Sequence, residues 1–375
     1  MNNPQDIING LLAGRPPEPY KDGGAGSHNA AVLDAARVRP AFFDVSCMLY
    51  RLLYAKADWY CNKAGGTEHE ADRRLCHLVC IDLINDVADA CRQFACAPVM
   101  AFDSKHSFRK ELLLPTYKEG RREQKKTASV ERVLNLRHTV LKMLREVYCT
   151  AYKIQFFCVY GYESDDVIAA FVLGLKQQPV FGDPPYNKPV VIVTSDHDLH
   201  QLLIDGVFLA DVATGILCTG EQVAKHTKIK PEDVVLAKCV GGCASDAIKG
   251  VAWCGEKTVA EVLEKRSFDV KMKRAKNSLQ SEEGLATLYR NWQLIKLPFQ
   301  PEGVEFIEPF PSLKLSKKTW PAACVPDVIR TIAGGMGIPE TSLPMFSDIT
   351  LPRPIGAIPV CEWKRKSETK EGVEE

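Results

Sequence analysis

Short, apolar, β-rich runs alternate with helical patterns between residues 41 and 211, and this alternation restricts the fold more than any other feature of the sequence. The runs are AFFD (41–44), APVMAFD (97–103), IQFFCV (154–159), KPVVIVTSD (188–196) and GVFLAD (206–211). Helical patterns run from the first strand to residue 60, over about 71–93 and over 131–148. Strands that alternate with helices usually build a parallel sheet, so the pattern predicts an α/β domain with a largely parallel sheet.

Acidic residues follow the predicted strands. Asp44, Asp103 and Asp196 end three of the runs, and Glu163 comes shortly after a fourth. Ligand sites in open α/β sheets lie beyond the carboxyl ends of the strands, so we expect these acids and their neighbours at one edge. The expected set is Asp44, Asp103, Glu163, Asp165, Asp166, Asp196 and Asp198. Any single one of them could instead cap a helix.

Carboxylates held close together repel one another unless cations lie between them. Ligand sets made only of oxygen favour Mg²⁺ or Mn²⁺. Two such ions about 4 Å apart suit in-line attack on a phosphodiester. We therefore predict a site for one or two divalent metal ions at this edge of the sheet.

A basic segment, SFRKELLLPTYKEGRREQKK (107–126), directly follows the strand that ends in Asp103. Its basic residues are Arg109, Lys110, Lys118, Arg121, Arg122, Lys125 and Lys126. Several of them have the spacing of one helix face, and the ring of Tyr117 could stack on a base. We predict a segment that grips phosphates. The alternative is an ordinary solvated helix face.

A glycine-rich stretch, GGCASDAIKGVAWCGEKTVAEVL (241–263), precedes a predicted helix that begins near Glu256. Its turns could bring backbone N–H groups, together with Lys249 or Lys257, close to phosphates. The alternative is that the glycines serve only the geometry of a connection between two helices.

Composition narrows the class of partner. Forty-eight basic residues oppose forty-seven acidic ones, so a nucleic-acid partner would depend on local segregation of charge. The sequence shows neither a membrane-spanning run nor a signal peptide, which predicts an intracellular protein without membrane contacts. Its fourteen cysteines are then expected as thiols. Cys76, His77, Cys80 and Cys91 are the best candidates for a zinc site. Cys76, Cys80, Ile84, Val87 and Cys91, however, have the spacing of one apolar helix face, which we favour over zinc.

The order of the motifs resembles the structure-specific 5′ nucleases, a family that includes phage 5′→3′ exonucleases, the 5′-nuclease domain of bacterial DNA polymerase I and flap endonucleases. The similar stretches, within residues 40–265, are FFDVSCMLYR, AFDSKHSFRKELLLPTYKEGR, GYESDDVIA, VIVTSDHDLHQLL and SDAIKGVAWCGEKTVAEVL. The resemblance implies a Rossmann-like (PIN-like) mixed, largely parallel sheet flanked by helices. It also implies a helical arch over the active site and a helix-two-turn-helix subdomain that binds duplex DNA.

The resemblance further implies roles for individual residues. The first metal site would consist of Asp44, Asp103, Glu163 and Asp165. The second site or its outer shell would include Asp166, Asp196, Asp198 and Asp246. The scissile region would be gripped by Arg109, Lys118 and Arg121, and Tyr50 would stack on a base. From the basic segment itself, we predict Tyr117, Arg122 and Lys125 as further DNA contacts. The duplex backbone would be held at Lys249, Gly250, Gly255 and Lys257, a turn that in the family often binds a potassium ion.

The sequence departs from the family at the second metal site and at the turn. Gly242-Cys243-Ala244-Ser245-Asp246-Ala247 stands where the family has G-D-x-x-D-N, so a cysteine replaces a carboxylate. Trp253-Cys254-Gly255 stands in place of G-I-G. We therefore predict a weak second metal site.

These observations predict five segments. They are a flexible arm (1–39) with at most one short helix, an α/β nuclease domain (40–225) with the arch at about 104–130, a helical subdomain (226–300), a segment without an assigned role (301–362) and a charged tail (363–375). The predicted function is a monomeric, Mg²⁺-dependent 5′→3′ exonuclease and flap endonuclease of DNA replication or repair, with Mn²⁺ as a substitute ion. Its substrates would be 5′ flaps, 5′ ends and nicked or gapped duplexes, with RNA–DNA hybrids left open. Two alternatives are a non-catalytic DNA-junction binder and a phosphatase, for which the basic segment and the turn would have no purpose.

Overall fold

The computed structural model describes residues 4–14, 32–33, 39–65, 67–119, 126–177, 189–211, 216–300, 314–315 and 321–346. Its α-helices, in chain order, are α1 (Pro4–Leu12), α2 (Val45–Ala64), α3 (Glu68–Phe94), α4 (Ala128–Asn135), α5 (Arg137–Met143), α6 (Thr150–Tyr152), α7 (Ser164–Gln177), α8 (Gly220–Thr227), α9 (Val234–Gly241), α10 (Glu256–Lys265), α11 (Lys273–Gln280), α12 (Glu282–Ile295) and α13 (Asp327–Gly335). Its strands are β1 (Val32–Leu33), β2 (Pro40–Asp44), β3 (Ala97–Ala101), β4 (Gln155–Phe157), β5 (Val190–Val193), β6 (Val207–Asp211), β7 (Ile216–Cys218), β8 (Gly242–Cys243), β9 (Ile248–Lys249) and β10 (Lys314–Leu315).

A six-stranded sheet forms the centre of the molecule, with strand order β4-β3-β2-β5-β6-β7. Neighbouring strands are parallel except for the β6–β7 pair, which is antiparallel. All five predicted strands are present, and β7 is a strand that the sequence pattern did not predict. The predicted fold class, a largely parallel mixed sheet flanked by helices, is confirmed.

Side chains of the central strands are buried on both faces of the sheet, which explains why these strands read as continuous apolar runs. Along β2, Ala41 and Phe43 pack into one apolar cluster with α2 and α3, whereas Phe42 packs into a second cluster with α7. This alternation follows from the two-residue period of a strand. Helices of the described part of the chain therefore cover both faces, and the carboxyl ends of the parallel strands lie along one edge of the sheet.

The apolar face of α3 accounts for the cysteines that also suggested a zinc site. Cys76, Cys80 and Cys91 are buried in the first cluster, as the apolar-face interpretation predicts. The Nδ1 atom of His77 lies 2.9 Å from the hydroxyl of Tyr148. Burial and the nearby Arg73 lower the pKa of His77 to about 4, so the ring is a neutral core residue.

Two sequence-based boundaries need correction. The single helix predicted over 131–148 is divided into α4, α5 and a π-helix, Leu144–Cys149, because the Leu136 N–H is shared between the carbonyls of Arg132 and Val133 and the turn tightens there. The N-terminal arm is also partly packed. Ile8 on α1 is 2% exposed and belongs to a third apolar cluster with residues of α9, α10 and α12.

The segment without a predicted role contributes to the core. Ile329 and Phe346 pack into the first cluster, and the Tyr152 hydroxyl donates a 2.9 Å hydrogen bond to the Pro344 carbonyl. Residues 321–346 therefore cover the face of the domain near α3. No described helix combines the length and apolar character needed to cross a bilayer.

Candidate active site

The first residue of α7 ties the ends of β2 and β3 together. The Ser164 hydroxyl donates to Asp44 Oδ1 at 3.0 Å, and the Ser164 N–H donates to Asp103 Oδ1 at 2.8 Å. Ser46 also donates to Asp103 Oδ2 at 2.5 Å. Because Ser164 begins the helix, its backbone N–H has no partner within the helix and is available for a carboxylate. Two of the predicted metal ligands are thus held at adjacent strand ends.

A chain of hydrogen bonds links the end of β5 to the same place. Thr194 Oγ1 donates to Asp44 Oδ2 at 3.1 Å and accepts from the Asp196 N–H at 3.0 Å. Asp196 Oδ1 in turn accepts from the Asp198 N–H at 2.9 Å. Burial, followed by the Asp103 carboxylate, raises the pKa of Asp44 to about 6, and Asp196 adds to this. Asp44, Asp103 and Asp196 therefore lie close enough together for their charges to interact.

Arg109 is buried among the acids that follow β4. Its guanidinium donates to both oxygens of Asp166, at 2.6 and 2.7 Å, and to Glu163 Oε2 at 3.2 Å. Asp165 Oδ1 lies 3.6 Å away. Burial alone would lower the pKa of Arg109, but Asp166 and then Asp165 raise it well above its usual value. Arg109 therefore serves as an internal counter-charge.

Three predicted roles need correction at this point. Arg109 is 2% exposed, so it cannot grip a phosphate outside the protein. Asp166 is 1% exposed, and its oxygens also accept the N–H groups of Phe299 (2.7 Å) and Glu163 (3.2 Å), which leaves no free lone-pair direction for a metal. Tyr117 is buried and its hydroxyl donates to Glu163 at 3.0 Å, so its ring is not available for stacking on a base.

Lys118 lies at the same group of acids rather than on a helix face. Its Nζ donates to Glu163 Oε2 at 2.8 Å, and its backbone has φ +60° in a turn that follows the π-helix Arg109–Leu113. Burial alone would raise the pKa of Glu163, but Lys118 and Arg109 lower it to about 2. The side chain of Lys118 is 27% exposed, so it reaches both the acids and solvent. The predicted residues Arg121, Arg122 and Lys125 lie outside the described residues.

A second group of possible metal-ligand atoms lies next to Asp196, around Asp198. Within the described part of the chain, one group of three ligating side chains has its donor atoms within 4.8 Å of one another, and it consists of Asp198, Cys243 and Asp246. The Cys243 thiol donates to Asp246 Oδ2 at 3.1 Å. Burial, and then Asp246, raise the pKa of Cys243. The thiol thus points at the acids, and Lys238 from α9 forms an ion pair with Asp198.

The predicted DNA-contacting residues beyond the acids are mostly exposed. The ring of Tyr50 is 38% exposed on α2, and Lys249 and Lys257 are exposed on either side of the glycine-rich turn. Gly255 caps the N-terminus of α10, whose predicted start is confirmed. These positions fit a surface that a nucleic-acid backbone could approach, and they keep their predicted roles as proposals.

The two glycines of this turn differ in what they tolerate. A Cβ atom at Gly250 would lie 2.4 Å from the backbone carbon of Gly241, whereas one at Gly255 would meet no atom within 4 Å. We expect Gly250→Ala to lower the free energy of unfolding by about 1–3 kcal/mol, because the two backbones would have to separate. Gly255→Ala, the matched control, meets no such clash and should lower it by only about 0.5 kcal/mol, because Ala is a weaker N-cap residue than Gly. Urea unfolding of both variants checks this, and equal midpoints would contradict it.

Four functional neighbours of the acids were not predicted: Ser46, Ser164, Thr194 and Lys238. The first three lie within two residues of a predicted acid, so a search for hydroxyl groups beside the strand ends could have found them. Lys238 lies 40 residues from Asp198 in the sequence and gave no such signal.

The acids differ in the groups that contact them, and this difference shows which of them could accept a metal ion. Glu163, Asp166 and Asp198 are neutralised by basic side chains of the chain itself. Asp44, Asp103 and Asp196 are contacted by hydroxyl and backbone N–H groups instead. Oxygen donors that repel one another at a partly open edge fit a hard divalent cation. The residues present therefore fit the predicted metal.

Comparisons with known proteins agree with this geometry. Residues 41–235, more than half of the chain, match the family described as 5'-3' exonuclease, N-terminal resolvase-like domain. A 5'-3' exonuclease of Buchnera aphidicola subsp. Schizaphis graminum (strain Sg) is 25% identical over 169 residues, 45% of this chain and 53% of that protein. DNA polymerase I of Bacillus caldotenax is 28% identical over 214 residues, 53% of this chain and 22% of that protein. The match thus spans about half of the first relative and less of the second.

A solved structure shares the fold. The bacteriophage T5 D15 protein, co-crystallized with metal ions, superposes with a TM-score of 0.52 at 20% identity, covering 69% of this chain and 90% of the phage protein. That likeness concerns the fold, whereas the family match rests on the sequence of more than half of the chain. The chain belongs to the 5'-3' exonuclease family.

Proposed function

We propose that the protein is a divalent-metal-dependent 5′→3′ exonuclease and flap endonuclease that hydrolyses phosphodiesters of branched or 5′-ended DNA. One observation carries the proposal. Asp44, Asp103 and Asp196 follow three adjacent strands of the sheet and are joined through Ser164 and Thr194 at its carboxyl edge. Family membership supports the reaction class, and a DNA substrate implies a compartment of the cell that contains DNA.

Two sets of residues would hold the metal ions. The first set is Asp44, Asp103, Glu163 and Asp165, and the second is Asp196, Asp198 and Asp246 with Cys243 beside them. When bound, Mg²⁺ or Mn²⁺ supplies Lewis-acid stabilisation of the charge that develops on the phosphate and lowers the pKa of water. Arg109 and Lys118 fix Glu163 in place, because its Oε2 atom accepts hydrogen bonds from both. Ser164 and Thr194 fix Asp44 in the same way.

The basic residues would position the DNA. Lys118, partly exposed at the acids, is suited to a phosphate next to the scissile bond, and Arg121, Arg122 and Lys125 would extend that contact. Lys249 and Lys257, with the backbone of Gly250 and Gly255, would hold the duplex backbone, and Tyr50 would stack on a base. The bacteriophage T5 D15 flap endonuclease, whose structure contains DNA and metal ions, has the same fold at 19% identity. This supports DNA as the substrate.

The division of labour follows the predicted segments. We assign hydrolysis to residues 40–225 and duplex binding to residues 226–300, in which α9, α10 and α12 surround the glycine-rich turn. A potassium ion at that turn and a monomeric state remain part of the proposal.

Cleavage of end-labelled DNA by the full chain tests the proposed function. The substrates are a 5′ flap, a gapped duplex, a single strand and a blunt duplex, each with Mg²⁺, with Mn²⁺ and with EDTA. We expect cleavage of the flap and the gapped duplex in the presence of metal, with products that place the cut near the junction. Binding of the flap without any cleavage in Mg²⁺ or Mn²⁺ would instead establish a non-catalytic junction binder. The ion pair between Lys238 and Asp198 and the thiol of Cys243 are the observations that favour this second candidate.

The thiol of Cys243 should set the metal requirement. Mg²⁺ prefers oxygen ligands, and Mn²⁺ tolerates softer ones better. We expect Cys243→Asp to lower the Mg²⁺ concentration for half-maximal cleavage by about tenfold, equivalent to about 1.4 kcal/mol. Cys243→Ser, the control, adds no charge and should stay near the wild-type value. Superimposable Mg²⁺ titrations of wild type and Cys243→Asp would exclude this position from metal binding.

A further inference from the structure

A cavity of about 200 Å³ opens beside the acidic edge, between the start of α2, the ends of β5 and β6, and α8. Its walls include Val193, Leu209 and Val223, and its polar groups include Ser195, His197 and His200. The proposed reaction uses none of these side chains. An apolar cavity of about 150 Å³ accepts a benzene molecule, so this one has room for a single substituted ring system and not for a whole nucleotide.

The cavity shares a wall with the proposed metal site. Thr194, which donates to Asp44, also lines the cavity. Cys47 lines it too, and its N–H donates to Asp44 Oδ1 at 3.1 Å. The Cys47 thiol lies 2.8 Å from the Ser195 hydroxyl, so the two residues form a polar strip between the acids and the cavity. A group seated in the cavity would therefore lie next to a group bound at the acidic edge.

The lining favours an uncharged aromatic ring. None of the described residues that line the cavity is acidic, in contrast to the neighbouring edge. The rings of His197 and His200 are stacked with centroids 4.8 Å apart. Arg51 at the cavity is paired with Asp86 at 2.9 Å. Apolar walls, a face of stacked imidazole rings and a few hydroxyl and thiol groups are the features of a small-ligand pocket.

We propose that this cavity binds one nucleobase, that of a nucleotide whose phosphate lies at the acidic edge and whose base has left the duplex stack. The proposal rests on the proposed function, because the substrate must bring a base to this place. Stacking on an imidazole face tolerates any base, and the Ser195 and Cys47 groups offer hydrogen bonds to its edge. A base held here would place the attached phosphate beside Asp44 and Asp196.

Two substitutions on β6 distinguish the effect of filling the cavity from a general effect on the strand. Leu209 is half-buried and lines the cavity, so Leu209→Trp should fill it. Phe208, its half-buried neighbour, packs against the first apolar cluster on the other face of the sheet. Phe208→Trp is therefore the matched control. His197→Ala, at an exposed ring, removes the stacking face with little risk to folding and serves if Leu209→Trp does not fold.

The test measures binding of uncharged deoxyadenosine to the metal-free full chain by ligand-observed NMR titration, because a phosphate would be repelled by the acids in the absence of metal. We expect wild type and Phe208→Trp to bind with a Kd of about 1 mM or lower and within about twofold of each other. Leu209→Trp or His197→Ala should bind at least about tenfold more weakly, and deoxyribose, which lacks the base, should not bind.

Two outcomes would overturn the nucleobase site: no saturable binding to wild type, or equal binding by wild type and both cavity variants. The binding measurement does not depend on whether the protein cleaves DNA. A protein that binds deoxyadenosine but does not cut any DNA substrate would refute the proposed function and leave the site standing, and a protein that cuts DNA without binding the nucleoside would do the reverse.

Discussion

Replacing Arg109 with Met is expected to lower the free energy of unfolding by about 3–5 kcal/mol, because it leaves buried carboxylates without a counter-charge. Asp166 would lose both of its guanidinium hydrogen bonds, and the Leu294 carbonyl would lose the bond from Arg109 Nε at 2.9 Å. Urea unfolding with an unchanged m-value measures the loss. A change below about 1 kcal/mol would show that the guanidinium only balances its own desolvation.

The double variant Arg109→Met with Asp166→Asn tests whether the unpaired Asp166 charge causes the loss of stability. Asn keeps an acceptor for the Phe299 N–H, which donates to Asp166 Oδ1 at 2.7 Å, but it removes the stranded charge. We expect it to recover at least about half of the loss. In the single variant, burial without a partner raises the pKa of Asp166 in the folded state, so protonation stabilises that state. The loss should therefore be greatest at neutral pH and shrink as the pH falls toward about 5.

Replacing Asp196 with Asn should reduce flap cleavage by about a thousandfold or more, since several kcal/mol of charge stabilisation by metal would be lost. Asn is preferred to Ala because Asp196 Oδ1 accepts the Asp198 N–H at the start of the 3₁₀ helix His197–Leu202, and an amide oxygen can do the same. Flap affinity without metal should be kept or slightly raised. Asp205→Asn, at an exposed acid after that helix, is the matched control and should cleave normally.

Thermal unfolding provides a second test of the Asp196→Asn variant, because its stability without metal should not fall although its activity does. Without metal, Asp196→Asn removes a charge that repels Asp44, so the melting temperature should stay the same or rise. With Mn²⁺ in excess, the wild type should gain more stability than the variant, because a bound ion stabilises only the folded state. Wild-type cleavage rates in the variant would refute a metal-binding role for Asp196.

The sheet and the convergence of the acids could be predicted from the sequence because both follow from local pattern. Continuous apolar runs indicate strands buried on both faces, and an acid after each run must lie at the carboxyl edge of a parallel sheet. The antiparallel strand β7 is only Ile216–Cys218, too short for a periodic pattern. Helix α1 was predicted as a short helix, but its packing depends on contacts with distant helices.

The ion pairs could not be predicted because they depend on which acid meets which base in three dimensions. Arg109 and Asp166 are 57 positions apart, and the basic run around Arg109 reads as an exposed surface by composition alone. Tyr117 was misassigned for the same reason: an aromatic residue within a charged run suggests stacking, yet the chain turns inward after the π-helix and buries it. The orientation of the Cys243 thiol toward Asp246 likewise required the structure.

The central claim is that the acids at the ends of β2, β3 and β5 hold divalent cations, and Mn²⁺ binding tests it most directly. Electron paramagnetic resonance would measure free Mn²⁺ during titration of the metal-free full chain, for the wild type and for Asp103→Asn with Asp196→Asn. We predict saturable binding of at least one ion by the wild type and its loss in the double variant. Equal uptake of Mn²⁺ by the two proteins, or no uptake by the wild type, would contradict the account.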